Sequence, residues 1–297
     1  RTEHRCTGVW WNPDCSWALV REYDRDRRWT RTWQVTDKNA STTPRLLWSR
    51  SVNDRYGDPG FPALRPLADG RRVIHEQDGA LYLHGAGATP EGDRPFLNRY
   101  HLADGTTETL FRSPTDAWES VVVMLDNLAE QLLVHRESPH CPPNLEIRLA
   151  GQPSRRITQR IDPEPVLRRI QRRIITCRRS DGVELSFTLC LPADHSPQQP
   201  PLPALLWAYP REFNDPETAG QVSGSVNRFN TLAGASHLFL VSLGYAVLDE
   251  VSMPVIGSPA DANDSFIRQI SDSAAAVIQA AAEIGAIDPA RVAVGGH

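Results

Sequence analysis

A chain of 297 residues with 40% hydrophobic content is long enough for one large domain or two ordinary ones, each with a real core. Its formal net charge of −4 gives no general attraction to nucleic acid or to an anionic membrane surface. No run of about 18 apolar residues could span a bilayer as a helix, and the five scattered cysteines (Cys6, Cys15, Cys141, Cys177, Cys190) suggest neither a disulfide framework nor a CxxC metal site.

In the first half, short strand-like runs alternate with turn residues. Trp17 to Glu22, Thr30 to Val35 and Arg45 to Trp48 read as strands, with Asp37-Lys38-Asn39 turning between the last two. Further hairpins are expected from Leu97–Leu102 with Glu108–Phe111 across Asp104-Gly105, and from Leu145–Leu149 with Arg156–Thr158 across Gly151-Gln152. Equivalent hairpins recur roughly every 45 to 65 residues, near the span of a four-stranded propeller blade with one insertion, and a β-sandwich is the alternative. Trp10, Trp11, Trp17, Trp29, Trp33 and Trp48 crowd this half and are expected to pack between strands.

Near Ile161 the texture changes. Asp162-Pro163-Glu164-Pro165 reads as a linker, and nine arginines between Arg155 and Arg179 read as a solvated connection, because no aromatic residue interleaves with them to stack bases. Gly182 to Leu191 alternates like an exposed or edge strand, and Ala204 to Trp207 is a short buried strand. Thr231 to Leu243 is expected to be a helix closed by Gly244, followed by a second buried strand at Tyr245–Asp249. Ser265 to Ile284 is the clearest helix. Asn263 or Asp264 can cap it, Gly285 suits its C′ position, and Ile267, Ile270, Ala274, Val277, Ile278, Ala281 and Ile284 form an apolar stripe. Val292-Ala293-Val294 is a third buried strand running into Gly295-Gly296-His297, and the strand–helix alternation is that of a doubly wound α/β sheet.

A buried strand leading into Gly-x is how a G-x-S-x-G nucleophile elbow begins, although strand-Gly-Gly turns also open dinucleotide-binding loops. Longer strings decide between them. Trp207 to Gly224 (WAYPREFNDPETAGQVSG), Val255-Ile256-Gly257, Ala262-Asn263-Asp264 and Val292–His297 resemble the glutamyl-endopeptidase branch of the prolyl-oligopeptidase family, as do Tyr56–Gly60 and Gly85–Gly92. The resemblance implies a partial β-propeller over residues 1–161, made of its C-terminal blades, followed by the N-terminal part of an α/β-hydrolase domain over 162–297. It implies a serine endopeptidase, with cleavage after Glu as the branch-level expectation. The alternatives are an esterase or amidase of the same fold and a non-catalytic propeller scaffold that binds proteins.

The family's serine follows the Gly-Gly-His string, so Gly296 and His297 would flank the nucleophile. Serine, aspartate and histidine of the triad are all expected outside this chain, leaving it inactive by itself. His237, Asp249 and His297 are not substitutes for them. Tyr209 matches the family tyrosine whose hydroxyl donates to the oxyanion. Arg211 and Arg228, in the matching region, are the candidates for pairing a substrate carboxylate. Peptides or unfolded polypeptides are the implied substrate, with no cofactor, metal, nucleic acid or membrane span.

The arginine bias, with Lys38 the sole lysine, suggests a GC-rich bacterial coding sequence. A soluble protein of the cytoplasm or an exported one fits, but no residue chooses between them. Arg1 in place of a methionine, and a close in mid-pattern, suggest a piece of a longer protein whose open edges would make it aggregation-prone alone.

Overall fold

The structure is a computed structural model that describes residues 2–36, 43–258 and 260–296. The expected turn at Asp37-Lys38-Asn39 and the elbow residue His297 lie outside the described residues. The chain divides into two compact units: Arg1–Gly87, Arg94–Ser138 and Pro143–Arg160 form the first, and Ala88–Asp93, Pro139–Pro142 and Ile161–His297 the second.

The first unit is built from antiparallel strands. One sheet runs in order through β1 (Arg5–Trp11), β2 (Trp17–Asp24), β3 (Trp29–Thr36) and β4 (Arg45–Ser51). A second contains β5 (Phe61–Pro62), β8 (Glu76–Gln77), β9 (Ala80–Gly85), β10 (Phe96–His101) and β11 (Thr107–Arg112), while β6 (Leu64–Pro66) and β7 (Arg72–Ile74) form a two-stranded ribbon. The third comprises β12 (Trp118–Met124), β13 (Gln131–Ser138), β14 (Cys141–Leu149) and β15 (Arg155–Arg156) in sequence order.

Strand β9 shows why these strands form. Successive side chains of a strand point to opposite faces. Leu81 and Leu83 enter a core with Trp17, Leu19 and Tyr100, whereas Tyr82 enters another with Leu97, Phe111, Met124 and Val134. Each fully buried side chain of this size contributes about 1.5–3 kcal/mol of apolar transfer, so β9 is held from both sides. The hairpin between β10 and β11 turns at Asp104-Gly105, where Gly105 has φ +76°, a conformation open to glycine at little cost.

The second unit has a five-stranded sheet in the order β16 (Gln171–Arg178), β17 (Glu184–Leu191), β20 (Ala246–Val251), β18 (Leu202–Ala208), β22 (Ile287–Gly295). β18 pairs in parallel with both β20 and β22, and β17 pairs antiparallel with β16 and β20. A parallel two-stranded sheet, β19 (Arg211–Phe213) with β21 (Pro254–Ile256), follows the ends of β18 and β20. Single-turn α1 (Pro216–Ala219) is capped by Asp215, whose carboxylate accepts from Thr218 N at 2.9 Å. Single-turn α2 (Phe239–Ser242) packs through Val241 on one sheet face with Cys190, Leu205 and Val247. Helix α3 (Phe266–Glu283) packs through Val277 and Ala281 on the other, with Phe187, Leu189, Leu206 and Leu248.

Six expectations change here. β17 is an inner strand, buried from Leu185 to Leu191, because β16 takes the edge beside it. β22 lies at the opposite edge among the described residues, with Val294 69% exposed instead of buried. The helix expected over 231–243 shrinks to α2, because Gly234 adopts φ +57° and Ser236 Oγ takes the amide of Leu238 at 3.4 Å.

The buried ridge of α3 is Gln269, Ser273, Val277 and Ala281, so Ile267 at the edge of the predicted stripe is 71% exposed. Its N-cap position is Ser265, not Asn263 or Asp264, and makes no side-chain cap; a single 3₁₀ turn over Ala262–Ser265 precedes the helix instead. Finally, not all of the arginine run is solvated. Arg168 and Arg179 are buried or nearly so and organise the loops described below.

All five cysteines are free, and only Cys190 is fully buried. No described helix is long and apolar enough to cross a membrane.

Candidate active site

In an open α/β sheet, ligands bind beyond the carboxyl ends of the strands, at the point where successive connections leave in opposite directions. The chain leaves β18 to form β20 on one side, then crosses back to form β22 on the other, so that point is the end of β18. Tyr209 is the first residue beyond it.

Tyr209 is 61% exposed, and no described residue hydrogen-bonds its hydroxyl. Its position is fixed from both flanks. Trp207 pairs with Gly295 in the β18–β22 register, and a Cβ added to Gly295 would stand 2.8 Å from the Trp207 ring. A Cβ at Gly296 would stand 2.1 Å from the Ala208 carbonyl oxygen. Only glycine permits this approach, so Gly295-Gly296 lies directly against the backbone that delivers Tyr209.

On the other flank, the β19–β21 pair ties the segment after Tyr209 to the segment after β20. Arg211 N donates to Met253 O at 3.1 Å, and Gly257 N to Phe213 O at 3.0 Å. Arg211 itself is exposed at the start of β19.

Arg179 anchors this pair from below. Its buried guanidinium donates to Pro254 O at 2.9 Å, Ser273 Oγ at 3.2 Å and Gln269 Oε1 at 3.2 Å, and forms a bidentate pair with Asp181 at 2.9 and 2.8 Å. Gln269 brackets Ile256, accepting from its N–H at 2.8 Å and donating to its carbonyl at 2.9 Å. The Arg179 guanidinium holds the Asp181 carboxyl below the usual carboxylate range.

Arg228 lies in a separate segment, exposed, on a turn in which its N–H donates to Ser225 O at 3.3 Å. Arg172 donates to the Arg228 carbonyl at 3.2 Å. Arg168 stacks over Phe229, 3.6 Å from its ring centroid, donates to Asn230 O at 2.5 Å and pairs with Asp162 at 2.9 Å. Burial holds the Arg168 guanidinium below its ordinary pKa.

Tyr209, Arg211 and Gly296 therefore share one region of backbone, while Arg228 is presented on a turn of its own. Sequence reasoning missed Arg168, Arg172, Arg179 and Gln269, since a run of arginines does not reveal which members turn inward. It set His237 and Asp249 aside as substitutes for the triad and did not pair them. The structure joins them, with Nε2 2.7 Å from Asp249 Oδ1.

Comparison with known proteins places this geometry. No protein-family model matches the chain. A rice (Oryza sativa subsp. japonica) protein named "Probable glutamyl endopeptidase, chloroplastic" is 36% identical over 312 residues, covering 99% of this chain and 33% of the relative. Its Arabidopsis thaliana namesake is 35% identical over 313 residues, covering 99% and 32%. Along nearly its whole length the chain is related to proteins named glutamyl endopeptidase.

It spans about a third of the length of these curated relatives. Solved peptidase structures share its fold. Trypanosoma brucei oligopeptidase B superposes with a TM-score of 0.54 at 12% identity over 97% of this chain and 45% of that one. Porphyromonas gingivalis dipeptidyl peptidase 4 gives 0.52 at 14%, over 97% and 44%. The glutamyl endopeptidase relatives and these neighbours are peptidases by name.

Proposed function

We propose that the protein is a serine endopeptidase that cleaves peptides after Glu through an acyl-enzyme, and that this chain supplies the oxyanion side of its centre. In this reading the first unit is propeller, the second is the opening half of an α/β-hydrolase domain, and the serine, aspartate and histidine lie outside these 297 residues. The carrying observation is the exposed Tyr209 at the end of β18, beside the Gly295-Gly296 end of β22. In an α/β-hydrolase the nucleophile stands on the turn after such a strand, and one oxyanion donor comes from the loop after the neighbouring strand.

When a serine Oγ attacks the scissile carbonyl, negative charge gathers on its oxygen. A phenolic hydroxyl free of other partners can donate there without first breaking a bond. Removing one such donor costs about 3–4 kcal/mol, equivalent to a loss of roughly 10²–10³ in kcat. For the substrate carboxylate, a guanidinium on β19 or on the Ser225–Arg228 turn can pair in bidentate fashion.

The test uses the full-length protein. A fluorophosphonate probe should label it, and Glu-containing peptides should be cut after Glu. Tyr209→Phe should lower kcat by roughly 10²–10³ with little change in KM. Absence of labelling and cleavage in folded protein would sink the peptidase reading. Arg211→Leu and Arg228→Leu should narrow the preference for Glu over Gln, and failure of both to do so would refute the carboxylate assignment.

A further inference from the structure

We infer that His237 is a positioning residue that holds the ends of three strands, β20, β18 and β22, in one fixed arrangement around Tyr209. Its effect on rate rests on the peptidase reading, whereas its effect on the backbone rests on the geometry alone.

An ionised carboxylate can only accept, so His237 Nε2 carries the proton that bridges to Asp249 Oδ1 at 2.7 Å. The same oxygen takes the amide of Glu250 at 3.0 Å. Glu250 has φ +49°, a left-handed conformation that an L residue keeps only when its surroundings hold it. It lies at an irregularity where Leu206 and Ala208 of β18 face Leu248 and Val251 of β20, so β20 carries one extra residue there. That bulge turns the chain toward β21 and hence toward the β19 segment carrying Arg211.

The other side of the imidazole lies flat on Trp207, with ring centroids 4.4 Å apart and planes 10° apart. The Trp207 indole is the surface against which Gly295 is pressed. One side chain thus bonds the bulge of β20 by its nitrogen and backs the wall of the β18–β22 contact by its ring. Asp249 is 9% exposed, so neither bond is made at a freely solvated surface.

The nitrogen and the ring can be separated by substitution. In the full-length protein, His237→Ala should accelerate hydrogen exchange by about tenfold or more in both 207–213 and 250–257, with α3 unchanged. His237→Phe keeps a ring for Trp207 and should restore slow exchange only in 207–213. His237→Gln keeps a donor for Asp249 and should restore it only in 250–257. With a Glu-containing peptide, His237→Ala should lower kcat roughly tenfold to a hundredfold while KM stays within a few-fold, as expected when reacting groups are misplaced.

Unchanged exchange in both segments, or equal acceleration throughout α3, would overturn the inference. So would faster exchange with unchanged kcat in an active enzyme, since the residue would then be structural only. An unlabelled, inactive wild type would instead remove the peptidase reading and leave the exchange result to decide the positioning role.

Discussion

Replacement of Arg179 by methionine isolates the anchor beneath the β19–β21 pair. Methionine keeps most of the packing of the arginine stem and removes every donor. The bond to Asp181 matters little, because that carboxylate is 53% exposed and regains water; exposed pairs contribute about 0–1 kcal/mol. Ser273 Oγ still donates to Gln269 O at 2.8 Å, and Gln269 Oε1 still accepts from Ile256 N at 2.8 Å.

Pro254 O is different. It loses its guanidinium donor, and an orphaned buried acceptor costs about 1–3 kcal/mol. Adding the weakened bonds to Gln269 and Ser273, Arg179→Met should destabilise by about 2–4 kcal/mol, and Asp181→Asn by about 1 kcal/mol or less. Urea unfolding with the m-value held in common measures both. Equal losses from the two substitutions would refute the reasoning, since the arginine would then act through its surface pair and not through the Pro254 carbonyl.

Other outcomes follow from the same geometry. Gly296→Ala places a Cβ 2.1 Å from the Ala208 carbonyl, so fluorophosphonate labelling of the full-length protein should fall sharply while secondary structure by circular dichroism persists. Burial, then Arg65, hold the His75 imidazole below its ordinary pKa of 6.5. As pH falls from about 6.5 toward that depressed value the unfolded chain binds a proton first, so the unfolding midpoint should drop across this window and flatten in His75→Gln. Burial pushes the Cys190 thiol up to about 12, so iodoacetamide should modify exposed Cys6 and spare Cys190 until the protein unfolds.

The elements most legible in the sequence were those whose signal is local. Asp104-Gly105 specifies its hairpin through backbone conformation, and Gly285 ends α3 at φ +73° for the same reason. Tyr209 and Gly296 could be placed because the strings around them are long and the strand before each is short and apolar. What was not legible depends on pairing between distant segments. β17 reads as an edge because its own alternation says nothing of the strand beside it. The 231–238 stretch reads as helix because its composition permits one, but His237 finds Asp249 and Trp207 only once β18 and β20 are side by side. Gln269 and Ser273 interrupt an otherwise apolar pattern, and that is a signal that a buried charge such as Arg179 must face them.

The extra residue at Glu250 fixes more than its own neighbourhood. Because a strand alternates faces at every step, the bulge resets the parity of everything that follows it before β21. Deleting Glu250 would do more than shorten a loop by one side chain. It would exchange inside for outside along 251–256, presenting Val255 where Pro254 now accepts from Arg179. The spacing from β20 to β21 is therefore a counted length, and a change of one residue in it is a larger perturbation than most substitutions within it.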